Sequence, residues 1–180
     1  SLLTKNHIQQ GIRLALQALF IAITACILIN LLMMLWQLMR YGDIDGDVAF
    51  LYYYAWLINE RDYLLYRDLH ETSLPGTLLI YQAITAVTGY SRIGFQTTHI
   101  LLIIALGVLT YRWLKPFNKL AGLFASVSFV SLYIYSSSTT LFQREFFIIF
   151  LSLTALVLLQ RDHVWRSIAA GSLLGLSFTI

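Results

Sequence analysis

The chain has 180 residues, 58% of them hydrophobic and 12% charged, and its mean hydropathy is +0.72. Soluble domains carry about 45–50% apolar and about 25% charged residues, so this composition excludes an ordinary soluble domain and predicts a polytopic membrane protein. The net charge of +3 does not indicate nucleic-acid binding, because the basic residues flank apolar runs instead of forming a patch.

The apolar runs predict an all-α bundle of membrane helices. The first run, 14–39, would be about 39 Å long as a helix, which is enough to cross the ~30 Å hydrocarbon core with tilt. The stretch 75–88 has about 14 residues, a length more typical of an interfacial or re-entrant segment than of a span. The remaining predicted spans are 93–110, 120–135, 146–159 and 168–180.

The distribution of basic residues bears on the orientation. If 75–88 does not cross, seven Lys and Arg lie on the N-terminal side and five on the other, so the positive-inside rule places the N-terminus in the cytoplasm. If it does cross, the numbers are four and eight, and the same rule places the N-terminus outside. Length favours the first arrangement. Residues 40–92 would then form a large outer loop with juxtamembrane interfacial helices, on the periplasmic, extracellular or luminal face.

Acidic residues concentrate in this loop, since seven of the nine Asp and Glu lie between positions 43 and 71. Within it, the aromatic segment 47–59 lacks Gly and Pro and begins with an aspartate that could cap a helix. Its Tyr and Trp residues are typical of an interfacial belt. Further along, Arg144 and Glu145 precede a predicted helix near the same face of the membrane. An ionisable pair at this depth indicates either a functional site or a structural ion pair anchoring the helix end.

The sequence contains, in order, an N-terminal helix, Asp43, Asp45 and Asp47, an aromatic helix, Tyr-Arg-Asp at 66–68, Glu71, Pro-Gly at 75–76 and Gln-Arg-Glu at 143–145. Together these residues resemble the first module of GT-C type membrane glycosyltransferases, which include protein O-mannosyltransferases and aminoarabinose transferases. The resemblance implies an enzyme that transfers a sugar from a polyprenyl-phosphate carrier to a glycan, lipid or protein acceptor outside the cytoplasm. The chain would be the N-terminal part of a longer protein and inactive alone. One departure is that Glu60-Arg61-Asp62 replaces the Gly that usually precedes the Tyr-Arg-Asp element.

Glycosyl transfer from a phosphate needs a carboxylate to accept the proton of the attacking hydroxyl, and positive charge to stabilise the departing phosphate. Asp45 or Asp47 is the predicted base, or alternatively a ligand for a divalent cation such as Mg²⁺ or Mn²⁺. Glu145 is the predicted second acid, and Arg144 or Arg67 is predicted to contact the phosphate. Further candidates are Asp43, Asp68, Glu71 and His70, the last as a metal ligand.

Two other functions stay open from the sequence. A transporter or flippase for a lipid-linked or anionic substrate would also place Arg and Glu at membrane depth, although the sequence shows no inverted repeat. A non-catalytic membrane subunit would use the acidic loop to bind a partner. Elsewhere, the single Cys26 excludes a disulfide within the chain, and His99 is predicted to be a hydrogen-bonded interior histidine.

Overall fold

The computed structural model shows an all-α bundle. It describes residues 2–41, 46–69, 75–136 and 142–180, with side chains from residue 9 onward. No described residue belongs to a β-strand, apart from one isolated bridge between Leu65 and Leu69. The described helices are α1 (Leu2–Tyr41), α2 (Gly46–Arg61), α3 (Pro75–Thr88), α4 (Arg92–Leu114), α5 (Lys119–Ser136), α6 (Arg144–Leu159) and α7 (Val164–Ser177).

Three of these helices are long and apolar enough to span a membrane. The qualifying stretches are Gln9–Tyr41, Arg92–Leu114 and Lys119–Ser136, with 33, 23 and 18 residues. Only 11% of the most apolar window of α1 is buried within the protein, as expected of a helix whose side chains face lipid. The chain is therefore a membrane protein. Helices α6 and α7 have 16 and 14 residues, and their crossing stays a prediction.

Except for residues 178–180, which follow the end of α7, the predicted apolar segments are helical in the structure, and α3 has the predicted bounds. α1 begins well before the predicted run 14–39, because residues 2–13 contain no proline and consist mainly of residues that a helix tolerates. Hydropathy locates the membrane-facing part of such a helix and not its first turn.

The two ends of the bundle differ in charge. α4 and α5 are joined by the short turn 115–118, and α6 and α7 by the short turn 160–163. Phe20, in the first half of α1, packs on Phe124 near the start of α5, with ring centroids 4.9 Å apart. Both turns therefore lie at the end of the bundle where α1 starts. We call this end the basic end and the opposite one the loop end. The basic residues with described side chains at the basic end are Arg13, Arg112, Lys115, Lys119, Arg161 and Arg166.

α3 lies across the loop end. At its start, the Gly76 N–H donates a 2.9 Å hydrogen bond to the carbonyl of Thr179, just beyond the end of α7. In its middle, the Tyr81 hydroxyl donates to the carbonyl of Phe142, just before α6, at 2.7 Å. Both partners belong to helix ends at the loop end.

The C-terminal end of α3 also lies at the loop end. The Tyr52 hydroxyl of α2 donates to the carbonyl of Gly89 at 3.2 Å, and the Tyr52 ring packs edge-on against Phe95 in the first turns of α4, with centroids 5.1 Å apart. Burial, and to a lesser extent the neighbouring Tyr90, raises the pKa of Tyr52. Since both ends of α3 meet helix termini at the loop end, α3 does not run from one end of the bundle to the other.

The core lies beneath α3 and is centred on Phe142. This residue is fully buried and has a φ of 67°, in the left-handed region that costs a non-glycine residue about 1–2 kcal/mol. Both its backbone groups are held by tyrosines, since its N–H donates to the Tyr133 hydroxyl at 2.7 Å and its carbonyl accepts from Tyr81. The rings that pack around Phe142 belong to Tyr81, Phe95, His99, Phe146 and Phe147.

His99 lies in the interior of the bundle, with one ring nitrogen that has no described hydrogen-bond partner. Its side chain is buried, but its Nε2 has no hydrogen-bond partner in the described part of the chain. Aromatic rings that offer no strong hydrogen-bond acceptor pack around this side chain, and the centroids of the His99 and Phe142 rings are 4.3 Å apart. The prediction of an interior position is confirmed, and that of a hydrogen bond stays a prediction.

Candidate active site at the loop end

Asp47 lies at the start of α2. It occupies the first turn and is exposed, where the positive end of the helix dipole stabilises a carboxylate by about 0.3–1 kcal/mol. The helix begins at Gly46 with a φ of 58°, a conformation that glycine adopts without steric cost. Asp47 therefore lies inside the first turn and not at the capping position that the sequence suggests. The other two aspartates of the triplet, Asp43 and Asp45, lie outside the described residues.

The loop after α2 holds an ion pair between Arg67 and Asp68. The guanidinium Nε and Nη2 donate to the two carboxylate oxygens at 2.9 and 2.7 Å, which is the bidentate geometry of a strong pair. The Leu64 N–H also donates to the carboxylate, at 2.9 Å. The hydrogen bonds from Arg67 and Leu64 lower the pKa of Asp68 below its usual range. Arg67 thus uses one edge of its guanidinium on Asp68, while the Nη1 group takes no part in the pair.

Arg144 and Glu145 form the first turn of α6, which begins two residues before the predicted span 146–159. The Arg144 Nε donates to the carboxylate of Glu145 over 3.3 Å, and the two side chains are 51% and 61% exposed. An ion pair between exposed neighbours contributes about 0–1 kcal/mol. Both charged groups are accessible from outside the bundle.

The structure brings Asp47 and Glu145 to the same end of the bundle without joining them. A series of rings runs from α2 to α6, with Tyr52 packing on Phe95, and Phe95 packing on Phe142 at 5.2 Å between centroids. Glu145 follows three residues after Phe142 in the chain. Asp47 makes no hydrogen bond or ion pair with any described side chain. The two carboxylates lie on separate helices packed around one aromatic core.

A predicted metal site at this end stays a prediction. Among the described residues no three His, Cys, Asp or Glu side chains converge as ligands. Asp45, His70 and Glu71 lie outside those residues, so of the proposed ligand pair only Asp47 is placed. A carboxylate oxygen of this kind suits a hard cation such as Mg²⁺.

Three hydroxyl side chains on one face of α3 hold this helix at the loop end. The sequence analysis did not identify them. Thr77, Tyr81 and Thr85 are spaced four residues apart and so share one helix face, and all three are buried. Thr77 donates to the carbonyl of Ile180 at 3.3 Å, and Asn59 of α2 donates to the Thr85 hydroxyl at 3.2 Å. The i, i+4, i+8 spacing of hydroxyls within an apolar segment was the signal that could have identified this docking face.

Comparison with known proteins finds no match, whether with protein families, curated proteins or solved structures. The likeness to GT-C enzymes is thus carried only by the residues quoted above. What the chain does has to be argued from where those residues lie.

Proposed function

We propose that this chain belongs to a membrane glycosyltransferase that moves a sugar from a polyprenyl-phosphate carrier to an acceptor at the loop end. The observation that supports this most is the position of the charged groups. Carboxylate and guanidinium groups at 47 and 144–145 belong to helices that pack around one aromatic core at the loop end, and the pair at 67–68 lies in the loop that follows α2. A site that must bind a phosphate and activate a hydroxyl requires both kinds of group within one region.

The proposed orientation places the loop end outside the cytoplasm. Among the residues whose side chains are described, the basic end carries six Lys and Arg and the loop end five, so the positive-inside rule assigns the basic end to the cytoplasm. We further propose that α2 and α3 are the interfacial helices of the outer loop 40–92. This is supported by the return of both ends of α3 to the loop end and by exposed apolar side chains such as Val87, which is 86% exposed.

The proposed reaction is a displacement at the anomeric carbon of the donor sugar. The acceptor hydroxyl oxygen forms a bond to this carbon, and the bond from the carbon to the phosphate oxygen breaks with its electron pair leaving on the phosphate. The hydroxyl proton passes to a carboxylate, for which we propose Asp45 or Asp47. Glu145 serves as the second acid.

Stabilisation of the leaving phosphate is assigned to the arginines. Arg144 contacts the carboxylate of Glu145 over 3.3 Å and its side chain is 51% exposed, so a phosphate can approach its guanidinium group from outside the bundle. Arg67 keeps its Nη1 group available while its other edge stays bound to Asp68. If a divalent cation takes part, Asp45 and Asp47 would supply oxygen ligands, and the cation would add positive charge next to the phosphate.

The test is to substitute Asp45→Asn, Asp47→Asn and Glu145→Gln singly in the full-length protein and to measure sugar transfer in membranes supplied with a polyprenyl-phosphate sugar. Loss of a proton-accepting group lowers turnover by about 10²–10⁴-fold, and we expect this for Glu145 and for at least one aspartate. Asp162→Asn is the matched control, because it removes an exposed carboxylate at the basic end. Normal insertion with undiminished transfer in all three variants would end the proposal.

A further inference from the structure

A second polar site lies at the opposite end of the protein. At the basic end, a cavity of about 450 Å³ opens between the end of α4, the end of α6 and the start of α7. Residues deeper in the helices give it an apolar part, including Leu109, Val157 and Leu158. Its part nearer the helix ends is lined by Arg112, Lys115, Arg161 and Arg166.

The walls of this cavity are tied together. The side chain of Gln160, just past the end of α6, donates a 2.7 Å hydrogen bond to the carbonyl of Trp113 near the end of α4. α7 follows α6 after a short turn and packs along it. The cavity is thus formed by three helix ends whose spacing is fixed, as a binding site requires.

The positive charge in the cavity is not neutralised by ion pairs within the part of the chain that the structure describes. None of the four basic side chains forms an ion pair with an acid among the described residues. The helix dipoles supply about −0.5 charge at each of the α4 and α6 ends and about +0.5 at the α7 start. With the four basic side chains, the net charge at the cavity is therefore about +3.5. Asp162 does not line the cavity, and including its charge lowers the total to about +2.5.

We propose that this cavity binds an anionic glycerophospholipid from the leaflet at the basic end. Its phosphate lies among the arginines, whose planar forks suit phosphate oxygens, and an acyl chain covers the apolar part formed by Leu109, Val157 and Leu158. Basic pockets between membrane helices bind anionic headgroups in this way. A soluble anion leaves the apolar part uncovered, and a zwitterionic lipid brings its own cation against the basic side chains. The site is independent of the glycosyl transfer proposed for the loop end.

The experiment uses the full-length protein, purified in detergent, delipidated and titrated under native mass spectrometry. The probes are phosphatidylglycerol, phosphatidylethanolamine with the same acyl chains, and inorganic phosphate. We expect one phosphatidylglycerol to bind at least 10-fold more tightly than either of the others. The variant Arg112→Gln/Arg166→Gln should bind it about 30-fold more weakly. The control Arg13→Gln/Lys119→Gln removes the same charge at the same end but outside the cavity, and should change binding less than 2-fold.

Photocrosslinking on the unaltered chain tests the site independently of whether the variants fold. Phosphatidylglycerol with a photoreactive acyl chain should crosslink to peptides covering 109–116 and 157–166 in preference to the exposed face of α1. Equal binding of the two lipids, equal weakening in both double variants, inorganic phosphate binding as tightly as the lipid, or crosslinks spread evenly over the membrane helices would each overturn the proposal.

Discussion

The contact between Tyr81 and Phe142 provides the sharpest test of how α3 is held. Tyr81→Phe removes one oxygen atom and keeps the ring, so packing in the core is preserved while the carbonyl of Phe142 loses its donor. Burial raises the pKa of Tyr81 far above its usual range, so its hydroxyl is protonated and donates throughout the physiological pH range.

The expected magnitude follows from leaving a buried carbonyl without a partner, which costs about 1–3 kcal/mol. For a chain of this size, about 2 kcal/mol corresponds to a fall in Tm of about 4–8 °C. Since Tyr81 lies at the centre of the buried face of α3, we also expect faster backbone hydrogen exchange across 76–88.

The assay is thermal unfolding of the full-length protein in detergent, with hydrogen exchange followed by mass spectrometry. Tyr135→Phe is the matched control, because the same atom is removed from a side chain that is 80% exposed, and its Tm should move by less than about 1 °C. If Tyr81→Phe matches this control in both measurements, the hydroxyl does not hold α3 and the argument for its position is refuted.

Three further results are expected. Gly76→Ala should destabilise the protein by about 1–3 kcal/mol in the same unfolding assay, because an added Cβ would lie 2.6 Å from a backbone oxygen of the chain after α7. Asp68→Asn should speed hydrogen exchange in 62–69 at pH 7, and the difference from the unaltered chain should vanish as the pH falls below the lowered pKa of Asp68, under its usual 3.8. With Cys26 replaced by Ser, a cysteine at Tyr135 should react with an impermeant reagent from outside intact cells, whereas one at Phe117 should react only after permeabilisation.

Each of these has a control in the chain. Gly171→Ala adds a Cβ where no atom lies within 4 Å, so destabilisation equal to that of Gly76→Ala would contradict the steric argument. Asp62→Asn alters a neighbouring carboxylate that is not part of the ion pair, and an equal change in exchange would contradict the role of Asp68. For the labelling, reaction of Phe117→Cys from outside and not of Tyr135→Cys would reverse the proposed orientation.

Much of the helical framework can be read from the sequence, because apolar run length and helix-breaking residues determine it. α3 begins at Pro75 and ends before Gly89, which has a positive φ of 67°, so its limits follow from local chemistry. The packing of α3 cannot be read in the same way. The bond from Tyr81 to Phe142 joins residues 61 positions apart, and no local periodicity reports which distant backbone group a buried hydroxyl meets.

The candidate site was predicted only as a set of charged residues near one face. The sequence identifies Asp47, Arg67 and Glu145 as chemically suited, because ionisable groups are rare in so apolar a chain. It does not show that Arg67 is already engaged with its neighbour Asp68, since this depends on the conformation of a loop in which Tyr66 has a φ of 66°. Nor does it show that an aromatic core separates the starts of α2 and α6.

The two tyrosines that hold Phe142 have a consequence for how this protein can change over evolution. The geometry at the start of α6 is set by hydroxyls and rings inside the core, while the charged groups beside it are attached to the outside of that framework. Substitutions at Arg144 or Glu145 should therefore leave the stability of the core unchanged. The surface at the start of α6 can vary in charge while the packing beneath it stays the same.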